Sequence, residues 1–228
     1  MRIRNSKFAI TGANRGIGLA VARMAAANGA HVYAIARSWE PGFEAELKNL
    51  GAASVHLLKA NLSTREQTDQ LAWQLADADL DILFNNAGIL TGGLLEEQHL
   101  DDIFSMFQVN LLALVHLTHA VLPGMVRKRR GKIINNSSVS AYMHFPCAST
   151  YAASKAAVAA FSNCLRSELE QTGVSVLCLV TPGIKTRMFD EIETKYAKNL
   201  ETPKDSITAE ELLAAVAHGP VALAIDAS

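Results

Sequence analysis

Residues 7–18 constrain the fold of this chain more than any other stretch. A short apolar run from Lys7 to Thr11 leads into Gly12-Ala13-Asn14-Arg15-Gly16-Ile17-Gly18. An apolar pattern of helical period then continues to Asn28, and Gly29 stops it. This reads as strand, glycine turn, helix. Such a turn lets the backbone approach closely and aims the N–H groups and positive dipole end of a helix at whatever lies above them, a position that suits a phosphate. The glycine spacing is G-x-x-x-G-x-G, not the G-x-G-x-x-G of the general dinucleotide fingerprint. A glycine turn can also serve only to pack a helix on a strand. Its place directly after the first strand favours the phosphate reading.

The rest of the chain repeats the alternation. Further strands are expected at residues 31–36, 53–60, 80–84, 132–136, 174–181 and 221–225. Helices are expected at residues 41–50, 64–76 (with Ser63 or Thr64 as N-cap), 94–109, 111–127 and 150 to about 170. A last helix, 209–217, has Thr208 as its cap. Strands alternating with helices imply right-handed crossovers. The expectation is a single α/β domain over residues 1–228, Rossmann-like, with a doubly wound parallel sheet of about seven strands and helices on both faces. Residues 184–207 are mixed and polar and follow a strand's C-terminal end, where a substrate lid belongs.

Composition supports a soluble enzyme: half of the 228 residues are hydrophobic and 19% are charged, which argues against disorder. A formal net charge of -1 gives no reason to expect nucleic acid. The one basic cluster, residues 127–132, falls where a helix should end, and cations there complement the helix dipole. Cys147, Cys164 and Cys178 have no metal-ligand spacing. They read as reduced thiols of a cytoplasmic protein, with Cys164 and Cys178 in the core. No apolar leader follows the N-terminus, and no run approaches the length of a membrane span.

The candidate chemistry centres on Tyr151-Ala152-Ala153-Ser154-Lys155. A spacing of four puts the phenol and the ammonium on one helical face. A free tyrosine, with a pKa of about 10, is a poor acid or base at neutral pH, and a fixed positive charge beside it lowers that value. Tyr and Lys four apart are also a common surface pair, so other residues must decide. Asn85-Asn86-Ala87-Gly88 ends the fourth strand, where the ligand crevice of a parallel sheet lies. Asn110 interrupts a helical stretch, either as a turn residue or as a side chain that satisfies backbone groups at a helix irregularity and holds a water. Ser137-Ser138 end the fifth strand, and Pro182-Gly183 close the sixth. The second strand ends Ile35-Ala36-Arg37 with no carboxylate until Glu40. An acid at that strand end would hydrogen-bond the adenosine ribose of NAD(H), whereas Arg37, with Arg15 from the glycine turn, suits the 2′-phosphate of NADP(H). Both arginines could equally be solvated.

Thr11-Gly12-x-x-x-Gly16-Ile17-Gly18, Asn85-Asn86-Ala87-Gly88, Asn110, Ser138, Tyr151-x-x-x-Lys155 and Pro182-Gly183 with Thr186 occur in that order. The ordered set, which spans almost the whole chain, resembles the short-chain dehydrogenase/reductase family. The resemblance implies hydride transfer between a dinucleotide and a carbonyl or secondary alcohol. Ser138 would polarise the substrate oxygen and Tyr151 would move the proton. Lys155 would lower the tyrosine pKa and bind the nicotinamide ribose, and Asn110 would hold a water in a proton relay. The cofactor set is then Gly12, Asn14, Arg15, Gly16, Ile17, Gly18, Arg37, Asn61, Leu62, Asn86, Ala87, Gly88, Tyr151, Lys155, Pro182, Gly183, Ile184 and Thr186, with no metal. Asn61-Leu62 stands where many members carry Asp and an aliphatic residue. Asn136 replaces a common apolar residue, facing either a helix or the pocket.

The first expectation is an NADP(H)-dependent reductase or dehydrogenase, with NAD(H) as the alternative cofactor. A dinucleotide-binding sensor or scaffold without turnover is the reading from another class. The substrate side includes His144, Phe145, Cys147, Ile184, Met188 and Phe189, an apolar set that suits a lipophilic ketone or an acyl chain. The resemblance also implies a homodimer or homotetramer, built on the helices at 111–127 and 151–170.

Overall fold

The computed structural model describes residues 3–182. The expected lid at 184–207, the Thr208-capped helix and the strand at 221–225 lie outside the described residues. The chain order is β1 (Lys7–Thr11), α1 (Gly16–Ala27), β2 (His31–Ala36), α2 (Phe43–Asn49), β3 (Ser54–Lys59), α3 (Arg65–Asp77), β4 (Ile82–Asn85), α4 (Leu100–Phe107), α5 (Ala113–Arg127), β5 (Gly131–Ser138), α6 (Ser149–Glu168) and β6 (Val174–Thr181). The strands form one six-stranded sheet in the order β3-β2-β1-β4-β5-β6, and every pairing is parallel. The order reverses between β1 and β4, which opens a crevice at the C-terminal ends of those strands.

Alternating side chains of each strand enter one of two cores, as a sheet covered on both faces requires. Ala9, Leu83, Ile133 and Val176 pack with Leu71 and Leu75 of α3, Leu117 and Val121 of α5 and Leu165 of α6. On the other face Phe8, Ile10, Val32 and Phe84 pack with Val21 and Ala25 of α1 and Phe43 and Leu47 of α2.

Three expectations need correcting. Asn110 does not separate two helices. Residues 100–127 form one 28-residue helix, with a single wider turn at Gln108–Leu112. That helix is long and apolar enough to cross a membrane by length and composition alone, a run that breaking it at Asn110 had hidden. Its apolar character is used in the core, where Met106, Leu117, Val121 and Met125 are buried. Cys164 is exposed, not in the core, because α6 turns that face outward; Cys178 is buried, and all three thiols are free.

The basic cluster does more than complement a dipole. Lys128 and Arg130 reach back to Asp81 at the start of β4, at 3.2 and 2.9 Å. Burial opposes the Asp81 carboxylate. The hydrogen bonds from the Lys7 N–H, Arg130 and Lys128 outweigh that and hold its pKa below the ordinary value.

Candidate active site

The glycine turn is held against the end of β4 by polar contacts. Gly12 has a left-handed φ of +68°, and a Cβ there would stand 3.1 Å from Ala87 Cα and 3.2 Å from Asn86 Nδ2. At Gly18 a Cβ would overlap the Gly12 carbonyl oxygen and lie 2.7 Å from Asn86 Nδ2. The packing role weighed for the glycines is therefore present: Gly18 lets the helix pack on the turn, and Gly12 lets the turn pack on Asn86 and Ala87. The Thr11 hydroxyl accepts the Asn86 and Ala87 N–H groups, both at 2.9 Å, and Asn86 Nδ2 donates to the Thr11 carbonyl at 3.0 Å. Thr11 thus ties the two central strands together where they end.

The end of β5 brings the proposed catalytic side chains together. Ser138 is buried, with its hydroxyl near enough to the Tyr151 phenol to lower the phenol's pKa. It also donates to the Ser140 hydroxyl at 3.2 Å and accepts the Ser140 N–H at 3.1 Å. Ser137 points to the other face, and its hydroxyl donates to the Lys155 carbonyl at 2.8 Å, fixing α6 on β5. The Lys155 side chain is buried; its Nζ donates to the Asn136 carbonyl at 2.9 Å and lies 5.8 Å from the Tyr151 ring centroid.

The electrostatics differ from the expectation that Lys155 lowers the tyrosine pKa. Burial pushes the Tyr151 phenol up to about 12, and the nearby Ser138 hydroxyl pulls it down only in part. Burial pushes the Lys155 ammonium down to about 8, against an upward pull from Cys178. Each group is thus held toward its neutral form, with the lysine nitrogen 5.8 Å from the centre of the tyrosine ring.

Asn110 sits in the wide turn of the long helix and is buried. Its Oδ1 accepts the Ile89 N–H at 2.9 Å, and its Nδ2 donates to the Ile89 carbonyl at 3.0 Å and to Ser154 Oγ at 3.1 Å. The side chain therefore serves the loop after β4 and the Tyr151 helix, not the backbone groups of its own turn. A Cβ on Gly88 would lie 3.4 Å from Asn110 Oδ1 and 3.6 Å from Lys155 Nζ, so this glycine leaves room where the two side chains meet.

The remaining candidates lie around this centre. Asn14 Nδ2 donates to the Ser38 carbonyl at 3.1 Å, which joins the glycine turn to the end of β2. Arg15 and Arg37 flank that bond; both are exposed, and neither makes an ion pair among the described residues. Gly16 and Ile17 begin α1. Asn61 uses its Oδ1 to accept the Ser63 N–H and hydroxyl, at 3.2 and 2.9 Å, and Leu62 is buried behind it. Thr64 is the N-cap residue of α3, yet its hydroxyl donates to the Asn61 carbonyl and not to the helix. Pro182 follows β6 directly, whereas Gly183, Ile184, Thr186, Met188 and Phe189 lie outside the described residues. His144 is exposed, and Phe145 and Cys147 are half-buried. The Cys147 carbonyl accepts the Gly93 N–H at 2.9 Å, so this loop is pinned across the crevice mouth. Sequence reasoning did not single out Ser140 or Ser154. The Ser138-x-Ser140 spacing at a strand end was the available signal for the first; only the fold brings Ser154 to Asn110.

A parallel sheet reversing at β1 and β4, with a serine, a tyrosine and a lysine gathered at the next strand's end, defines a Rossmann-like protein of the oxidoreductase kind. Residues 7–197 match the sequence model of the short chain dehydrogenase family, and the chain belongs to that family. It is 37% identical over 191 residues to a 3-oxoacyl-acyl-carrier-protein reductase, FabG, of Haemophilus influenzae, covering 83% of this chain and 78% of the relative. It is 34% identical over 222 residues to a fatty acyl-CoA reductase of Acinetobacter baylyi, covering 94% and 74%. Its fold superposes on a short-chain dehydrogenase from Sphingobium yanoikuyae in complex with NADPH with a TM-score of 0.85. Sequence identity there is 28%, over 93% of this chain and 83% of the other.

Proposed function

We propose that this protein is an NADP(H)-dependent oxidoreductase that interconverts a carbonyl compound and a secondary alcohol, with Tyr151 as the acid/base. The observation that carries the reading is the convergence of Ser138, Tyr151 and Lys155 at the C-terminal end of β5, with Asn110 bracing the Tyr151 helix. The residues fit a dinucleotide: Gly12 and Gly18 let the turn close tightly on Asn86, which sets the N-terminus of α1 at the crevice end of β1. The uncommitted guanidiniums of Arg15 and Arg37 suit a 2′-phosphate, and the NADPH complex of the Sphingobium yanoikuyae neighbour agrees with that choice. When bound, the dinucleotide supplies or accepts the hydride.

The chain's own residues handle the proton and the oxygen. With its pKa near 12, Tyr151 is fully protonated at neutral pH, ready to donate to a substrate oxygen that gains negative charge. The Ser138 hydroxyl, its oxygen held by the Ser140 N–H, turns its proton from Ser140 Oγ to the same substrate oxygen and orients it. Lys155 places its ammonium between Tyr151 and the end of β4, where it binds ribose hydroxyls and stabilises the phenolate left after proton transfer. The relatives named as acyl-carrier-protein and acyl-CoA reductases make a 3-oxoacyl thioester the first substrate class to try. A self-associating oligomer fits the exposed Leu100 and Phe104, one turn apart on α4.

The test follows NADPH and NADH oxidation by wild type and Tyr151→Phe against ketones, quinones and 3-oxoacyl thioesters. The reading expects turnover with NADPH that falls at least a thousandfold in the variant. Tight NADPH binding without turnover of any compound would favour the sensor reading, and faster turnover with NADH would overturn the role given to Arg15 and Arg37.

A further inference from the structure

Asn136 is the polar residue whose presence packing does not explain. It lies on β5 one position before the serine pair, is only 9% exposed, and faces away from α5 and α6. Its Nδ2 donates to Asn86 Oδ1 at 3.1 Å, while its buried Oδ1 has no partner among the described residues. An orphaned buried acceptor is unfavourable, and an apolar side chain of the same size would avoid it. Its backbone carbonyl holds Lys155 Nζ, and the Asn86 that it holds presents Nδ2 to the Thr11 carbonyl, against Gly12 and Gly18. Asn136 therefore stands between the glycine turn and the lysine, bonded to the lysine directly and to the turn through Asn86.

We infer that Asn136 is a positioning residue for dinucleotide binding that acts through Asn86, an inference that rests on the dinucleotide reading above. Asn86 has two ends to satisfy. Its amide nitrogen is fixed by Thr11, and its oxygen has Asn136 as its only partner among the described residues. With that donor present, the Asn86 side chain has one orientation, and the floor of the crevice beside Gly12 and Gly18 is set before the ligand arrives. Without it, Asn86 Oδ1 loses its partner among the described residues, and the side chain that packs against Gly12 and Gly18 is no longer held in one orientation.

The experiment measures NADPH affinity by fluorescence titration, with the thermal midpoint of the cofactor-free protein, for wild type, Asn136→Leu, Asn86→Ala and the double variant. The expected result is a fivefold to tenfold weaker Kd in Asn136→Leu with a midpoint unchanged or raised. In the Asn86→Ala background the same substitution should have no further effect. Asn136→Thr keeps a hydroxyl donor in a side chain suited to a strand, and should bind NADPH more tightly than Asn136→Leu. A Kd for Asn136→Leu within twofold of wild type overturns the inference. So do additive effects of the two substitutions, a midpoint lowered by several degrees, or equal affinities for the Leu and Thr variants. Failure of the wild type itself to bind NADPH or NADH would instead remove the dinucleotide reading.

Discussion

Replacing Lys155 with Met should make the cofactor-free protein more stable at neutral pH while destroying its activity. Burial moves the Lys155 pKa from 10.5 to about 8, and a shift of that size is worth roughly 3 kcal/mol against the charged form. The native state therefore carries a charged lysine at pH 7 at that disadvantage. Methionine fills similar space without charge. The substitution also loses the 2.9 Å bond to the Asn136 carbonyl, worth about 1 kcal/mol. The net gain of about 2 kcal/mol corresponds to a midpoint raised by about 4–8 °C in a chain of this size. The pH dependence separates this from simple repacking. The unfolded chain keeps the lysine proton up to about pH 10.5, whereas the folded chain releases it near 8. Wild-type stability relative to the variant therefore rises with pH between those values, and the advantage of Lys155→Met shrinks across that window. Cys178, whose pKa burial raises, titrates in both proteins and cancels to first order in the difference. Urea melts of both proteins from pH 6.5 to 9.5 make the measurement. A variant less stable than wild type at pH 7, or a gap that stays constant to pH 9.5, would refute the reasoning.

Arg37→Asp should weaken NADPH binding by roughly 10- to 100-fold, the worth of one charge-assisted hydrogen bond, while NADH binding stays the same or improves; paired fluorescence titrations decide it. Gly18→Ala forces a Cβ into the Gly12 carbonyl oxygen and against Asn86 Nδ2. Such overpacking costs about 1–3 kcal/mol, and the thermal midpoint should drop by about 2–12 °C. In the native protein a thiol reagent should modify Cys164 quickly and leave Cys178 untouched until denaturant is added, because the first is exposed and the second buried; mass spectrometry of the labelled peptides reads the result.

The strands and most helices could be read from period and punctuation because they follow local rules. Apolar runs closed by Gly12, Arg37-Ser38 and Pro182 gave β1, β2 and β6 to the residue. The errors arose where tertiary contacts override local preference. Asn110 is a poor helix former, so a break was expected; bonds to Ile89 and Ser154 compensate it within a continuous helix. Cys164 was placed in the core by its apolar neighbours, but α6 is apolar on more than the face that meets the sheet. The Tyr–Lys spacing showed which side chains share a face, but not that burial would govern both pKa values. That depends on the depth of the helix against β5, which no local pattern encodes.

The distribution of unfavourable features over the sheet argues independently for where the chemistry lies. At the N-terminal end of the strands the buried carboxylate of Asp81 is fully compensated by the Lys7 N–H, Lys128 and Arg130. At the C-terminal end three features go uncompensated within a few residues of one another. Lys155 is buried as a cation, and among the described residues neither Asn136 Oδ1 nor Asn85 Oδ1 has a partner, although Asn85 Nδ2 reaches Thr118 and Asn135 at 3.0 and 2.9 Å. A fold selected for stability alone would fill these positions with apolar side chains. Groups left short of partners in the protein alone are groups whose geometry is set for something else. All three lie on β4, β5 and the helix that carries Tyr151, so the places where stability is given up coincide with the crevice where the sequence motifs converge.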